Sequence, residues 1–251
     1  MNVDIVVDVG NSRMKWGRCR QGQVAEVAAL NSKDPAAWQQ QIDTWSLEPG
    51  QQWAVTGVDP QPVQVLLDWL GKREQKALHL SSWRQLPLHV QVDFPDRVGI
   101  DRLLNAVAAK GKIGPGRSAL IIDSGSAVTV DWLDGKGAFR GGAIFPGFRL
   151  MAQALHDYTA LLPLVPPPQQ YPAHMPGTST ATAIEAGVYW AVAGGIRALV
   201  KELARIGGLT DPEIFLTGGD AALLQPALDF KTCCWPQMTL QGIRSATEEI
   251  P

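Results

Sequence analysis

An apolar run over 3–7, an alternating stretch over 13–18 and a largely apolar stretch over 24–30, separated by turns, predict three strands with a period of two. The period then changes. Residues 35–45 have helical spacing, with Ser32 or Asp34 able to cap them and Pro35 suited to the first turn. A strand is predicted over 53–56, then a helix over 62–70 that lines up Val63, Leu66, Leu67 and Leu70 on one face. Short strands over 77–80 and 88–92 lead to a helix over 101–110 that turns Leu103, Leu104 and Val107 inward. A turn-rich joint at 111–117 follows, and the pattern restarts with strands over 119–122, 127–133 and 138–144. Helices over 148–158 and 180–206, a strand over 213–216, a helical stretch over 220–228 and a closing strand over 233–240 complete the chain. Three strands followed by alternating helices and strands, twice over, predict an α/β protein of two similar lobes, 1–115 and 116–251. Prolines at 163, 166, 167, 168, 172 and 176 predict an extended surface loop between the two later helices.

Composition narrows the class. With 251 residues, 45 % of them apolar and 18 % charged, the chain reads as a soluble globular protein able to bury a sizeable core without staples. A net charge of −2 provides no broad field for nucleic acid or for an acidic membrane. The longest candidate for a membrane span, 187–200, is cut by Arg197, and the N-terminus lacks a basic start and carries Asp4 and Asp8 in its apolar stretch, unlike a signal peptide. Cys19, Cys233 and Cys234 have no metal or disulfide spacing; the adjacent pair is expected in a buried strand, and a reducing cytoplasm is the default. The nine tryptophans are scattered rather than periodic and are expected mostly to fill the core and interfaces. His79, His89, His156 and His174 show no ligand spacing, and no Ser-His-Asp set, zinc signature or Walker-type loop is present.

Two segments echo each other. Asp8-Val9-Gly10-Asn11-Ser12 and Asp123-Ser124-Gly125-Ser126-Ala127 each follow an apolar run with an Asp, a Gly and a hydroxyl residue before a second run. A strand, a tight turn and a second strand at each place would offer backbone N–H groups and a hydroxyl to an anion, beside a carboxylate that can hold a cation. Arg13 and Lys15 fall on one face of the strand after the first turn, where a phosphate tail needs positive charge. Thr217-Gly218-Gly219 adds a third glycine turn after a strand, open to a purine or ribose or simply a strand-to-helix turn. In Gly99-Ile100-Asp101-Arg102, Asp101 is either a cap or first-turn acid, or a base that takes a proton from a substrate hydroxyl. Arg102 runs against the helix dipole and fits a substrate carboxylate by a bidentate pair. Thr178-Ser179-Thr180 caps the long helix or brings Thr180 to a substrate, and Gly141-Gly142 and Pro146-Gly147 mark sharp turns near the second Asp-Gly motif.

Taken in order, these motifs resemble the type III pantothenate kinases, the Bvg accessory factor family within the acetate kinase, sugar kinase, Hsp70 and actin group. The match runs through Asp8 to Trp16, Gly99 to Arg102, Asp123 to Thr129, Gly141 to Gly147, 180–187 and Thr217-Gly218-Gly219, with 236–243 resembling a closing strand. The resemblance implies two ribonuclease H-like lobes in an actin-like ATPase architecture, a homodimer, and ATP-dependent phosphorylation of pantothenate, the first step toward coenzyme A. It implies that Asp101 is the base, that Gly99, Ile100, Asp101, Arg102 and Thr180 bind pantothenate, and that Asp8, Val9, Gly10, Asn11, Ser12, Arg13, Met14, Lys15 and Ser126 bind ATP. Asp123 would hold a monovalent cation, K+ or NH4+, and Mg2+ would accompany the nucleotide, with Asp8 as its carboxylate. Ser12 and Ser126 stand where the family often has Thr, which preserves the hydroxyl, and Val92 stands where it usually has a substrate-contacting Tyr, with Phe94 and Pro95 nearby. A kinase of the same fold acting on another small hydroxy acid, and a nucleotide-binding regulator without turnover, remain as alternatives.

Overall fold

The computed structural model describes residues 2–10, 13–171 and 175–248. By contact they form two compact units, one within Met1–Gly114, Gly137–Phe139 and Gln237–Pro251, the other within Pro115–Lys136 and Arg140–Pro236.

The first unit opens with β1 (Ile5–Val9), β2 (Arg13–Arg20), β3 (Gln23–Asn31), α1 (Pro35–Trp45), β4 (Gln52–Gly57), α2 (Pro60–Gly71) and β5 (Lys76–His79). Its strands lie in the order β3-β2-β1-β4-β5, with β1 antiparallel to β2 and parallel to β4. Alternation sends Ile5, Val7 and Val9 of β1 into a core under α1 and α2. Five tryptophans meet there, with Trp16 edge-on to Trp53 at 4.9 Å and Trp38 edge-on to Trp69 at 5.4 Å, the arrangement aromatic quadrupoles favour. α1 starts as its residues dictate: the Asp34 side chain accepts from the N–H groups of Ala36 and Ala37, and Pro35 takes the first turn. The unit continues through β6 (His89–Val90) and α3 (Ile100–Lys112).

The second unit repeats the plan with β7 (Ala119–Ser124), β8 (Ala127–Leu133), β9 (Ala138–Pro146), α4 (Phe148–Asp157), α5 (Thr180–Gly207), β10 (Glu213–Thr217), α6 (Ala221–Leu224) and β11 (Cys233–Cys234). Here the order is β11-β10-β7-β8-β9, with β7 antiparallel to β8 and parallel to β10. The duplicated topology is therefore the one the strand pattern predicts. β6 pairs with Ala138 and Phe139 at the start of β9, residues that belong to the first unit's spans. Helix α5 is long and apolar enough in composition to cross a membrane, but Ile184, Val188, Tyr189, Val192, Ile196 and Val200 lie buried in this unit's core, as in the central helix of a globular domain.

Four expectations are corrected. The closing strand over 233–240 is only Cys233–Cys234; Pro236 cannot donate to a ladder, and Met238, Leu240, Ile243, Ala246 and Thr247 bury at helical spacing in α7 (Met238–Glu248). The resemblance of 236–243 to a closing strand falls with it. The cysteine pair is not buried, because β11 is a sheet edge: Cys233 is half-buried and Cys234 exposed. The helical stretch over 220–228 shortens to α6 and a 3₁₀ turn, Gln225–Ala227, where Pro226 interrupts the bonding pattern. The strand expected over 88–92 contracts to β6. The described residues of 162–177 carry no helix or strand, as their prolines require.

Candidate active site

In the first unit, Asp8 is the penultimate residue of β1. It stands in register with Lys15 on β2 and with Thr56 on β4, so the three share one face of the sheet. This is the face of Val6 and Gly17, which α7 covers: a Cβ on Gly17 would lie 3.3 Å from Leu240. Thr56 is fully buried and donates its hydroxyl to the Leu80 carbonyl at 2.8 Å. After β1 the Gly10 N–H donates to the Arg13 carbonyl at 3.0 Å, and a Cβ on Gly10 would stand 2.8 Å from that same oxygen. Only glycine closes the turn so tightly. Of the expected nucleotide contacts, Asn11 and Ser12 lie outside the described residues. Val9 and Met14 bury their side chains in the core, leaving only their backbone for a ligand, while Arg13 is exposed and Lys15 half-buried.

Helix α3 carries the Gly-x-Asp-Arg motif on its first turn and packs along α7, where Gly242 leaves room for the Leu104 carbonyl and Thr239 donates to buried Asn105 at 2.9 Å. The N-cap is Gly99, not Asp101, and makes no side-chain cap bond. Asp101 Oδ1 accepts from the Arg102 N–H at 2.9 Å. That bond satisfies one of the helix's orphan donors and turns the carboxylate back over the N-terminus. A Cβ on Gly99 would stand 2.5 Å from Oδ1, so the glycine makes the space the carboxylate uses. The Arg102 guanidinium lies 5.7 Å from the centre of the Phe139 ring, and Arg97 covers the ring of Phe94 at 4.9 Å. Arg84 and Trp83 donate to the exposed Asp96 carboxylate, and these bonds hold it below the usual carboxylate range. Val92 is half-buried and brings no polar group to this edge.

In the second unit, Asp123 stands in register with Thr129 on β8 and Thr217 on β10. Their sheet face is that of Ile121 and Phe215, opposite the Leu120, Ile122, Val128 and Leu216 side that packs on α5. The turn after β7 is closed by the Gly125 N–H donating to the Ala127 carbonyl at 3.1 Å, with Ser126 exposed beyond it. Gly147 donates its N–H to the Ser126 carbonyl at 3.0 Å and sits so close that a Cβ would run into the Gly125 carbonyl. Gly218 has φ +97°, and a Cβ there would collide with the Ser124 carbonyl and lie 2.6 Å from Asp123 Oδ1. The Asp220 N–H donates to the Ser124 carbonyl at 3.0 Å; burial pushes the Asp220 carboxyl up from its usual range, against the opposing charge of Arg149. Glycines at 147 and 218 thus bring two other segments onto the Asp123 turn. The sequence reading missed the counterpart in the first unit, Thr56-Gly57, where a Cβ on Gly57 would be 2.7 Å from the Val9 carbonyl. Its signal was available in the Thr-Gly pair that also ends β10.

Two hydroxyls at the Asp123 turn are buried without a hydrogen-bond partner, Ser124 Oγ and Thr129 Oγ1. Among the described residues, no three of His, Cys, Asp or Glu gather as a metal site. The Asp123 carboxylate and the unpartnered Thr129 hydroxyl, in register on neighbouring strands, are oxygen donors of the kind that suits a hard cation.

Thr180 opens α5 but does not cap it; Ser179 does, in a reciprocal pair of bonds with Thr182. Thr180 is exposed at the rim of an open groove of about 1100 Å³ between α4 and the start of α5, lined by Met151, Leu155, Tyr158, Ile184 and Val188.

Residues 4–202 match a family model described as type III pantothenate kinase. A type III pantothenate kinase from Akkermansia muciniphila is 36 % identical over 195 residues, 76 % of each chain, and one from Alkalilimnicola ehrlichii is 32 % identical over 248 residues, 98 % of each. Among solved structures, the activator of 2-hydroxyisocaproyl-CoA dehydratase from Clostridium difficile, with bound ADPNP, superposes with a TM-score of 0.55 at 12 % identity, covering 99 % of this chain and 95 % of that one. Component A of (R)-2-hydroxyglutaryl-CoA dehydratase from Acidaminococcus fermentans gives 0.52 at 14 %, covering 96 % and 95 %. The structural likenesses show the fold, the actin-like architecture that the family resemblance implies.

Proposed function

The chain belongs to the type III pantothenate kinase family and phosphorylates pantothenate with ATP for coenzyme A synthesis; on that premise we propose that Asp101 is the base of the reaction and that the two Asp-Gly turns serve the nucleotide. The observation that carries this reading is the set of Asp101. Its Oδ1 is tied to the Arg102 N–H, which leaves Oδ2 as the acceptor for the proton of the attacking hydroxyl. Gly99 and Ile100 shape the same first turn. Arg102, beside the Phe139 ring, is the candidate partner of the pantothenate carboxylate.

Phosphoryl transfer asks mainly for positioning and for charge that meets the transferring group. The Gly10 and Gly125 turns supply tightly fixed backbone, Arg13 and Lys15 supply positive charge, and Ser126 supplies an exposed hydroxyl. Magnesium, when bound with ATP, neutralises phosphate charge, and Asp8 is the carboxylate suited to it. A monovalent cation, K+ or NH4+, is assigned to Asp123.

The enzyme is read as a homodimer. The groove between α4 and α5 is apolar, and Tyr158 and Leu161 beside it are 88 % and 92 % exposed, an unusual placement for a face that meets only water. Thr180 at its rim would put pantothenate near that interface. A cytoplasmic location accords with three free cysteines and with the supply of ATP. The deciding assay is ADP release on adding pantothenate, with and without KCl, alongside sedimentation to give the oligomeric state. ATP binding without pantothenate-dependent ADP release would instead favour a regulator.

A further inference from the structure

The duplicated sheets let the two carboxylates be compared position by position. Asp8 and Asp123 are each the penultimate residue of the first strand of a unit. Each has a Thr in register on the parallel neighbour, Thr56 and Thr217, followed by a glycine. The antiparallel neighbour differs: Lys15 faces Asp8, whereas Thr129 faces Asp123. The first unit therefore carries its own cation beside the carboxylate. In the second unit the equivalent place holds a short neutral side chain, whose hydroxyl is buried and has no hydrogen-bond partner. A buried hydroxyl without a partner is costly, and a carboxylate, a hydroxyl and nearby carbonyls make an oxygen-rich set for a hard ion.

We propose that Thr129 is a ligand of a monovalent cation held by Asp123, and that this ion occupies in the second unit the place Lys15 fills in the first. The proposal rests on the assignment of a monovalent cation to Asp123 and adds a second residue to that site. Cation dependence is then a property of position 129. A hydroxyl there admits the ion, a hydrocarbon removes a ligand, and a lysine replaces the ion covalently.

Binding to the folded state raises the unfolding midpoint with ligand concentration, which gives a readout separate from turnover. The full-length protein is melted in a KCl series and, at matched ionic strength, in tetramethylammonium chloride. Wild type should show a KCl-specific rise. Thr129→Ser should keep it. Thr129→Val should need about tenfold more KCl, or more, for half the rise. In tetramethylammonium chloride Thr129→Val should be no less stable than wild type, because it removes a buried hydroxyl without a partner. Thr129→Lys should lose the KCl-specific rise and should turn over without added potassium. If wild type shows no KCl-specific rise, the Asp123 cation assignment itself fails. If wild type shows it and Thr129→Val follows the same KCl curve, the assignment stands and the role of Thr129 is refuted. Should Thr129→Lys not fold, the Ser and Val series decides alone.

Discussion

Gly99 and Asp101 share one small space: a Cβ on the glycine would stand 2.5 Å from Oδ1 of the carboxylate. The carboxylate occupies that space because its Oδ1 folds back to the Arg102 N–H. Gly99→Ala should therefore swing the Asp101 side chain away while leaving α3 packed on α7. The expected result is a loss of kcat on the order of 10²-fold with a nearly unchanged melting temperature, read by coupled ADP release and thermal unfolding. A variant with normal kcat would show that the orientation of Asp101 does not matter to the reaction.

Asp101→Asn keeps the shape and the acceptor for the Arg102 N–H but removes the base. Turnover should fall roughly 10²–10⁴-fold, with pantothenate affinity and far-UV circular dichroism little changed. Retained turnover would take Asp101 out of the proton transfer.

Gly218 holds φ +97° against the Ser124 carbonyl and Asp123 Oδ1, where a side chain has neither the torsion nor the room. Gly218→Ala should cost about 1–3 kcal/mol of stability and weaken ATP binding, because relief of the clash moves the turn that carries Asp123. Urea unfolding and nucleotide titration calorimetry measure the two effects, and a variant that binds ATP normally would detach this turn from the nucleotide.

Ser124 is fully buried on the α5 side of the sheet, and its hydroxyl has no partner. Replacing it by alanine removes a desolvated polar group at little cost in volume. Ser124→Ala should raise stability by about 1 kcal/mol, seen as a higher urea midpoint. A lower midpoint would mean that the hydroxyl is satisfied in solution.

Burial pushes the Cys19 thiol up from 9.0 to about 11, with Asp4 and Glu248 adding to the shift and Arg244 opposing it. Because the folded value lies above the unfolded one, the thiol's contribution to stability is present below pH 9 and lost as pH rises toward about 11. Wild type should lose stability between pH 8 and 10.5 more steeply than Cys19→Ala, which lacks the ionising group. At pH 8, the exposed Cys234 should react with a disulfide reagent well before Cys19.

Much of this protein was legible along the chain. The Asp-Gly turns, the Gly-x-Asp-Arg motif and the strand-rich opening of each unit are local patterns, set by residues a few positions apart, and they lie on the expected strand ends and helix turn. The end of the chain was misread because 236–243 is apolar enough for either period, and only its packing along α3 decides for a helix. Val9 and Met14 lie inside the motif proposed for ATP yet point into the core, which alternation suggests and only the sheet's two faces settle. Asp8 and Asp123 could be matched by eye as the same motif. That one faces Lys15 and the other Thr129 could not, because cross-strand register is a relation between residues brought together by folding. The sequence by itself determined most of the elements and the duplicated plan. Tertiary structure decided which groups face which, since strand pairing and close glycine contacts join segments that no local pattern relates.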